Sequence, residues 1–358
     1  MNMKYPIYIL ATLLLAGCQT QEQEEASMTQ PIVTKAYLKE GTKVTPLPAR
    51  PTVRGIDNDL SQGYRVHTGV SSAVYSDATA SFATNQLLFN FEPFTLQNGS
   101  YTYTGASRFW INDGKTYHHF GAVSTNLEAY TEGSYQIGYN YAKTYRNQIY
   151  FTQADEPAHQ QDALVADPVV NIQTQYNAPT VNLYFRHALS RILIKIFNSG
   201  GATIYDVEGQ IMYTTNIYRN GYQSVWGSGI ALANTDGATT NLTHTKNKYY
   251  ALNANVFTLP ATAKDGASSM TLGNIFLLPI SNSVTTDGWM VARVRYKTDM
   301  AGSYTDWQEV SLPACNRLVS GIQYTYSVNL IVETNDLAVT GAEITPWVDE
   351  SLEIDQLN

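Results

Sequence analysis

The stretch from residue 181 to 201 constrains the fold more than any other, because its apolar residues fit two different secondary structures. One set of apolar residues has the spacing of a helix face: Leu189, Ile192, Leu193, Ile196 and Phe197. Another set alternates as the residues on one face of a strand do: Ile192, Ile194 and Ile196. Apolar and polar residues alternate from 181 to 185, β-branched side chains are frequent from 191 to 196, and an Asn-Ser-Gly-Gly turn ends the run. We therefore predict a strand with a kink at His187-Ala188.

The rest of the chain consists of short apolar or alternating runs, each of which ends at Gly, Asn, Asp or Pro. The 26 tyrosines and a charged fraction of only 15% also favour half-buried pleated surfaces over helices. Long helical patterns do not alternate with these runs. We therefore predict an all-β protein built from sandwiches or barrels rather than from βαβ units.

A linker between two domains is predicted from Asp167-Pro168 to Pro179, where turn residues interrupt the apolar runs. Together with the N-terminal signals described next, this linker divides the chain into four parts. They are a signal peptide at 1–17, a tether at 18–35, an N-terminal domain at 36–176 and a C-terminal domain at 177–358.

The first residues have the pattern of a bacterial export signal. Lys4 provides a basic start, and the apolar run from Ile7 to Ala16 has the length of a signal-peptide core but is too short to span a bilayer. Leu15-Ala16-Gly17-Cys18 resembles a lipobox, in which the cysteine thiol is diacylglycerated and becomes the new N-terminus. We expect lipid attachment at Cys18, a polar tether behind it and a location at the outer membrane; the alternative is a buried thiol in a signal anchor.

Charge and cysteine content exclude two classes of protein. The net charge is −8, the isoelectric point is near 5.2, and no dense Lys/Arg cluster is present, so a phosphate backbone would be repelled and nucleic acid is excluded as a partner. The chain has 2 cysteines, and a lipidated Cys18 leaves Cys315 without a disulfide partner. A fold that is held together by disulfides is therefore excluded as well.

No group of residues has the pattern of a catalytic or metal site. His118 and His119 are adjacent, so strand geometry would direct their rings to opposite faces. His187 lacks a serine or cysteine in a nucleophile-elbow context, and the acidic residues at 55–59 and 155–167 do not have EF-hand spacing. We therefore expect no enzymatic activity, no cofactor and no bound metal.

Three segments together resemble the fimbrillin family, the lipoprotein-derived pilins of type V pili. SYTYTGASRFWINDGKTYHHFGAV at 100–123 is similar to the aromatic strands of that family's N-terminal domain. YFRHALSRILIKI at 184–196 is similar to the opening of its C-terminal domain, and QYTYSVNLIVE at 323–333, followed by ITPWVDE, is similar to its closing strand. Together the segments cover most of the chain from Gln97 to Glu350.

This resemblance implies two β-sandwich domains of transthyretin-like topology and a structural or adhesive subunit of a surface-exposed fimbrium. It also implies that an arginine-specific protease removes an N-terminal strand and that a strand of a neighbouring pilin subunit, from the same or a related chain, fills the groove. The alternative function is a monomeric surface lipoprotein that binds a glycan or a host protein through exposed aromatic side chains.

A candidate cleavage site lies between Arg54 and Gly55. The segment TPLPARPTVRGIDND at 45–59 is rich in proline and polar residues, as is typical of loops that proteases reach. The Arg50–Pro51 bond should resist cleavage, because proline lacks an amide hydrogen and restricts the preceding residue. Cleavage after Arg54 would remove a strand that contains Ile32, Val33, Ala36, Leu38 and Val44; the alternative is an ordinary loop arginine.

The C-terminal tail at 348–358 is the expected replacement strand. Leu352 and Ile354 alternate with acidic residues, and Leu357 follows them. These three side chains would enter the groove of a neighbouring subunit. The alternative is a frayed tail, which would make the chain an anchor, a tip subunit or a monomer.

Overall fold

The computed structural model describes the chain in ranges that exclude both termini. These ranges are 30–40, 43–46, 63–72, 88–98, 100–124, 138–139, 148–160, 162–174, 178–224, 243–253, 255–261, 269–280, 287–315, 317–332 and 336–346. Within them the secondary structure consists of strands and a 3₁₀ turn at Pro157–His159. The prediction of an all-β fold is confirmed.

The strands are numbered in chain order. The first eleven are β1 (Thr34–Glu40), β2 (Lys43–Pro46), β3 (Tyr64–Ser71), β4 (Phe89–Gln97), β5 (Ser100–Tyr103), β6 (Tyr117–Ser124), β7 (Gly138–Tyr139), β8 (Gln148–Thr152), β9 (Leu164–Ala166), β10 (Val169–Gln173) and β11 (Val181–His187). The others are β12 (Ser190–Asn198), β13 (Ile204–Tyr213), β14 (Asn220–Ser224), β15 (Tyr249–Ala251), β16 (Phe257–Leu259), β17 (Met270–Leu277), β18 (Met290–Lys297), β19 (Gln308–Ser311), β20 (Ile322–Ile331) and β21 (Asp336–Pro346).

The first domain is built on a nine-stranded sheet with the order β2-β1-β11-β9-β6-β3-β4-β5, in which β10 also pairs with β6. Strands that lie far apart in this order contribute to one core, which includes Tyr64, Phe89, Phe120, Leu183 and Phe185. A flat sheet would not bring these side chains together, so the sheet is bent around its own core.

The second domain is a sandwich of two sheets. One sheet has the order β17-β12-β20-β21, and the other has the order β15-β13-β18-β19 with β16 also paired to β13. Their facing side chains form a second core that includes Ile192, Ile194, Ile211, Trp289 and Val294. The expected pair of sandwich-like β domains is therefore present.

The stretch from residue 181 to 201 forms strands, as predicted, and its kink separates the two cores. β11 ends at His187, β12 begins at Ser190, and the two strands belong to different sheets. β11 pairs with β1 and β9, and its alternating apolar side chains are buried in the first core. The change from one core to the other thus falls at Ala188-Leu189, because β11 belongs to the first sheet and β12 to a sheet of the second core.

A buried polar pair fixes this kink. Nδ1 of His187 lies 2.6 Å from a carboxylate oxygen of Asp162, and both side chains are almost fully buried. The hydroxyl of Ser320 donates to the main-chain carbonyl of His187 at 2.8 Å. The end of β11 is therefore held by groups from both domains.

Gln160 connects the first domain to both sheets of the second. Its Nε2 atom donates to the carbonyl of Ala154 and to the hydroxyl of Tyr213, each at 3.1 Å, and its Oε1 atom accepts from the amide of Phe276 at 2.7 Å. Tyr213 lies in β13 and Phe276 in β17, one strand from each sheet. A single buried amide thus fixes the first domain against the end of the second sandwich.

Two further contacts join the domains. β14 pairs with β8 to form a three-stranded sheet with β7, so strands from both sequence halves share one ladder. Asp155 accepts hydrogen bonds from the amide and the hydroxyl of Thr245 at 3.0 and 2.8 Å. These polar contacts have defined directions, and we infer that the two domains behave as one unit.

Three histidines of the first sheet are packing residues. Nε2 of His118 accepts from the amide of Ile111 at 3.1 Å, whereas the ring of His119 lies 2.9 Å from the hydroxyl of Ser71 and accepts from the amide of Asn171 at 3.2 Å. The two rings thus have different neighbours, as expected for adjacent strand residues. Burial lowers the pKa of His67 to about 4, and burial together with His118 lowers the pKa of His119 to about 4.

We expect Gln160→Leu to lower the free energy of unfolding by about 2–4 kcal/mol, because it leaves a buried amide and a buried hydroxyl without their partner. Urea denaturation measures the change. Gln173→Leu is the matched control, since Gln173 is exposed and its amide donates to the carbonyl of Gly114 at the surface. Equal losses in the two variants would contradict the role of Gln160.

We expect the free energy of unfolding to fall as the pH is lowered from about 6.5 to about 4. In this window the unfolded chain binds protons at histidines that stay neutral when folded, so protonation favours unfolding. His67→Gln should reduce the loss between pH 7 and pH 5 by about 2 kcal/mol. The exposed His159→Gln is the control, and an unchanged pH slope in His67→Gln would refute this assignment.

Candidate functional site

The N-terminal strand is attached to the first sheet in an unusual way. β1 runs parallel to β11, with Thr34 opposite Val181 and Leu38 opposite Phe185, whereas the other described pairings of this sheet are antiparallel. On its other side, within the described part of the chain, β1 pairs only with β2, the strand that follows it. Residues 30–46, called here the N-terminal segment, therefore cover one edge of β11.

Side chains of β1 and the residues before it alternate between the core and the outside. Ile32 and Leu38 are buried in the first core, with Leu38 only 2% exposed, and half-buried Ala36 packs against the same core. Val33, which the sequence grouped with them, points outward and is 48% exposed. Every second residue from Ile32 to Leu38 thus enters the core, as a strand period requires.

A polar contact lies among these apolar residues. The hydroxyls of Thr34 and Tyr64 share a hydrogen bond of 3.0 Å in the core. The ring of Tyr64 stacks on Phe94 at a centroid distance of 5.1 Å and lies 5.5 Å from Phe185. Burial raises the pKa of Tyr64 to about 12, so the hydroxyl keeps its proton at neutral pH. A buried hydroxyl of this kind is stable only with a hydrogen-bonding partner.

The start of the N-terminal segment is held by main-chain bonds on both sides. The amide of Ile32 donates to the carbonyl of Arg108 at 2.8 Å, and the amide of Trp110 donates to the carbonyl of Gln30 at 3.2 Å. The amide of Val181 donates to the carbonyl of Val33 at 2.9 Å. Removal of the segment would therefore expose polar main-chain groups on two neighbouring elements in addition to an apolar groove.

The second candidate element is the C-terminal edge strand. β21 pairs with β20 on one side and is the last strand of its sheet in the described part of the chain. Leu337 and Val339 pack against the second core, but Ile344, which lies opposite the buried Tyr324, is 65% exposed. An edge strand with exposed apolar residues is typical of sites of strand addition.

The site residues predicted from sequence lie outside the described residues. This holds for Cys18, for Arg54 and Gly55, and for Leu352, Ile354 and Leu357. What the structure describes is the strand that cleavage after Arg54 would remove and the strand that precedes the C-terminal tail. Sequence reasoning missed the pair formed by Thr34 and Tyr64, because nothing in the pattern connects two hydroxyls that are far apart in sequence.

Half-buried aromatic residues of the second domain are engaged with cations. The guanidinium of Arg293 lies 3.4 Å from the ring centre of Tyr249 and 4.5 Å from that of Trp307. Arg295 lies 4.4 Å from the ring centre of Tyr304 and 2.6 Å from a carboxylate oxygen of Glu208. These rings stabilise the outer face of the sheet and are less available for stacking on a sugar.

Two other kinds of site are absent from the described ranges. No group of three or more His, Cys, Asp and Glu side chains there is arranged to hold a metal ion. Among the same residues, no helix is long and apolar enough to cross a membrane.

Comparison with known proteins identifies the family. The profile of the fimbrillin-like family matches residues 63–347, and no curated protein matches the chain. A fimbrial protein from Bacteroides vulgatus is similar in structure, with 17% identity, a TM-score of 0.61 and coverage of 88% of this chain and 99% of that chain. A candidate cell adhesion protein from Bacteroides ovatus has 19% identity, a TM-score of 0.52 and coverage of 90% and 99%. These likenesses support the fold, and the family match extends over most of the sequence: the chain belongs to the fimbrillin-like family.

Proposed function

We propose that this protein is a subunit of a cell-surface fimbrium that is exported as a lipoprotein and assembled by strand addition after arginine-specific proteolysis. The observation that carries this proposal is the N-terminal segment, which fills the first core yet joins the sheet only at its edge. Membership of the fimbrillin-like family supports a fimbrial or adhesion subunit that assembles with other pilin subunits.

Removal of the N-terminal segment would leave a groove that water cannot stabilise. Ile32, Ala36 and Leu38 would no longer cover the core, and the edge of β11 would lose its main-chain partners. Burial of large apolar side chains stabilises by about 1.5–3 kcal/mol each, so refilling these positions supplies roughly 5 kcal/mol before ordering costs. Main-chain hydrogen bonds to β11 add to this and slow dissociation. A strand from another subunit is the partner that meets both needs.

The proposed cleavage would also separate the subunit from its lipid. Cys18 precedes the N-terminal segment and Arg54 follows it, so one cut after Arg54 removes the lipid anchor and the strand together. Before this cut the chain is held at the outer membrane with its groove filled. After it, the chain is free of the lipid and its groove is open, so assembly would be coupled to release.

A monomeric surface lipoprotein that binds a glycan or a host protein is the competing function. It needs exposed aromatic rings but no removable strand. Among the described aromatic residues, Phe109 and Tyr218 are exposed, whereas Tyr249, Tyr304 and Trp307 are half-buried and each is contacted by an arginine. The detachable N-terminal segment is therefore the feature that favours a fimbrial subunit.

We expect Arg54→Lys to block maturation, because an arginine-specific protease does not accept lysine. Mass spectrometry of the surface-extracted protein should show a mature N-terminus at Gly55 in the unaltered chain and a longer form in the variant. Arg50→Lys is the matched control and should mature normally, since Pro51 protects that bond. A mature N-terminus at another residue would remove Arg54 from the scheme.

We expect Cys18→Ser to abolish incorporation of labelled fatty acid and to leave an uncleaved precursor. The reason is that the serine hydroxyl does not replace the thiol that accepts the lipid. Cys315→Ser is the control and should keep the label, because this buried thiol, whose pKa burial raises to about 11, is not exposed to the lipidation machinery. Labelling that persists in Cys18→Ser would exclude the lipoprotein assignment.

A further inference from the structure

The chain enters and leaves the second domain through two neighbouring strands. It enters by β12, which follows β11 after residues 188–189, and it leaves by β20, which is followed by the edge strand β21. β12 and β20 are the central strands of their sheet and share eight residue pairs, from Arg191 opposite Gln323 to Asn198 opposite Leu330. The strands from β13 to β19 lie between them in sequence. The pair of β12 and β20 therefore closes the domain.

The direction of these two strands determines how tension acts on them. β12 and β20 are parallel, whereas β17 and β21 are antiparallel to the strands that they flank. Tension from the first domain pulls β12 at its N-terminal end, and tension from the residues after Ile331 pulls β20 at its C-terminal end. In a parallel pair these two ends lie at opposite ends of the ladder, so the strands are pulled along their length in opposite directions. The main-chain hydrogen bonds between them are then loaded together, in shear.

The edge strand β21 is loaded in a different way. Because it is antiparallel to β20, its C-terminal end at Pro346 lies opposite Ile322, at the end of the sheet where β12 begins. Tension applied beyond Pro346 therefore separates β21 from β20 one residue pair at a time. After this separation the load reaches the C-terminal end of β20. The bonds of β21 thus break before the pair of β12 and β20 bears the load.

Side-chain packing opposes the same displacement. Alternate residues of both strands face the second core and are at most 3% exposed: Ile192, Ile194 and Ile196 from β12, and Tyr324, Tyr326, Val328 and Leu330 from β20. Protein interiors are close-packed, so these side chains cannot slide past one another without opening the core. Shear between the two strands therefore disrupts core packing as well as the ladder.

Polar contacts reinforce the loaded end of β12. The hydroxyl of Ser190 donates to the main-chain carbonyl of Val319 at 2.8 Å. The hydroxyl of Ser320 lies 2.8 Å from the carbonyl oxygen of His187 and 3.1 Å from that of Ala188. These bonds join the residues that lead into β12 to the residues that lead into β20. They extend the sheared contact beyond the ladder itself.

The first domain also holds the strand on the other side of β12. Oε1 of Gln160 accepts from the amide of Phe276 in β17 at 2.7 Å, and Phe276 lies opposite Arg191 of β12. β12 and β17 are therefore both attached to the first domain, one through the chain and the other through this buried amide. The ladder between β12 and β20 is the boundary at which β20 separates from the part of the sheet that the first domain holds.

We propose that the second domain carries tension between the first domain and the C-terminal part of the chain, with the parallel pair of β12 and β20 as the mechanical clamp that resists it. While the clamp holds, the strands from β13 to β19 are not under load, so the domain extends only when the clamp breaks. A fimbrial subunit needs this property, because tension along a fibre passes through each subunit in turn. The inference goes beyond the proposed assembly and does not depend on how subunits join.

Single-molecule force measurements on the full chain test the clamp by comparing two directions of load. Both variants carry Cys18→Ser and a first handle at Arg186→Cys, an exposed residue near the end of β11. The second handle is a cysteine added after Asn358 in one variant and Arg317→Cys, at an exposed residue before β20, in the other. The first variant loads the clamp in shear, and the second peels β20 from its N-terminal end. Cys315 stays unchanged because it is buried.

We expect the clamp to last at least about 100-fold longer in shear than in peeling at the same force, because several ladder bonds must break together rather than singly. After a smaller step from β21, rupture in shear should free residues 190–331 in one step, roughly 450–500 Å of extended chain. Equal lifetimes in the two directions, or gradual extension in shear without a single large step, would overturn the inference. Either result leaves the proposed fimbrial function intact.

A substitution at the sheared contact tests its position in the domain. Ser320→Ala removes a hydroxyl that bonds across the contact, and we expect it to shorten the lifetime in shear by about five-fold. Thr214→Val is the matched control, since the hydroxyl of Thr214 donates to the carbonyl of Gly288 beside the other sheet of the domain. It should lower the free energy of unfolding in urea to a similar extent but change the lifetime in shear by less than about two-fold. An equal loss of lifetime in both variants would show that the resistance does not lie between β12 and β20.

Discussion

The rest of the structure depends on one continuous stretch, residues 181–198, which runs from the first core into the second. β11 and β12 are separated only by Ala188-Leu189, and the buried contact between His187 and Asp162 fixes the direction in which the chain leaves the first sheet. The N-terminal segment pairs with the edge of β11. In the other domain β20 pairs with β12, and β21 pairs with β20. The position of the groove and the position of the edge strand are therefore both set by one stretch of sequence.

The same arrangement explains why a core strand can be removable. β1 precedes the other strands of its sheet and joins the sheet through a parallel pairing, which is slightly less stable per residue than an antiparallel one. The pairings that join β11, β9, β6, β3 and β4 do not involve β1. Its loss would uncover part of the core without unlinking the remaining strands, so the first domain keeps its framework while its groove opens.

Local patterns in the sequence were sufficient to predict the elements but not their partners. Alternation at Val181, Leu183 and Phe185 predicts β11 as a strand, yet alternation is the same in either core, so the pattern alone does not show that β11 belongs to the first core. The pair formed by Thr34 and Tyr64 and the three hydrogen bonds of Gln160 join residues that are distant in the chain. Such contacts are set by the packing of whole sheets, and no local period records them.

Polar contacts have a different role from apolar ones in this fold. Apolar side chains such as Leu38 and Phe185 supply most of the free energy of burial, but a groove lined only by apolar side chains would accept several registers with similar stability. A buried hydroxyl or amide stabilises the one arrangement that pairs it and destabilises the others by its desolvation cost. Gln160 sets the relation between the domains in this way, and Tyr64 does the same for the strand beside β11. Specificity in an assembly built from similar strands therefore depends on a small number of buried polar atoms.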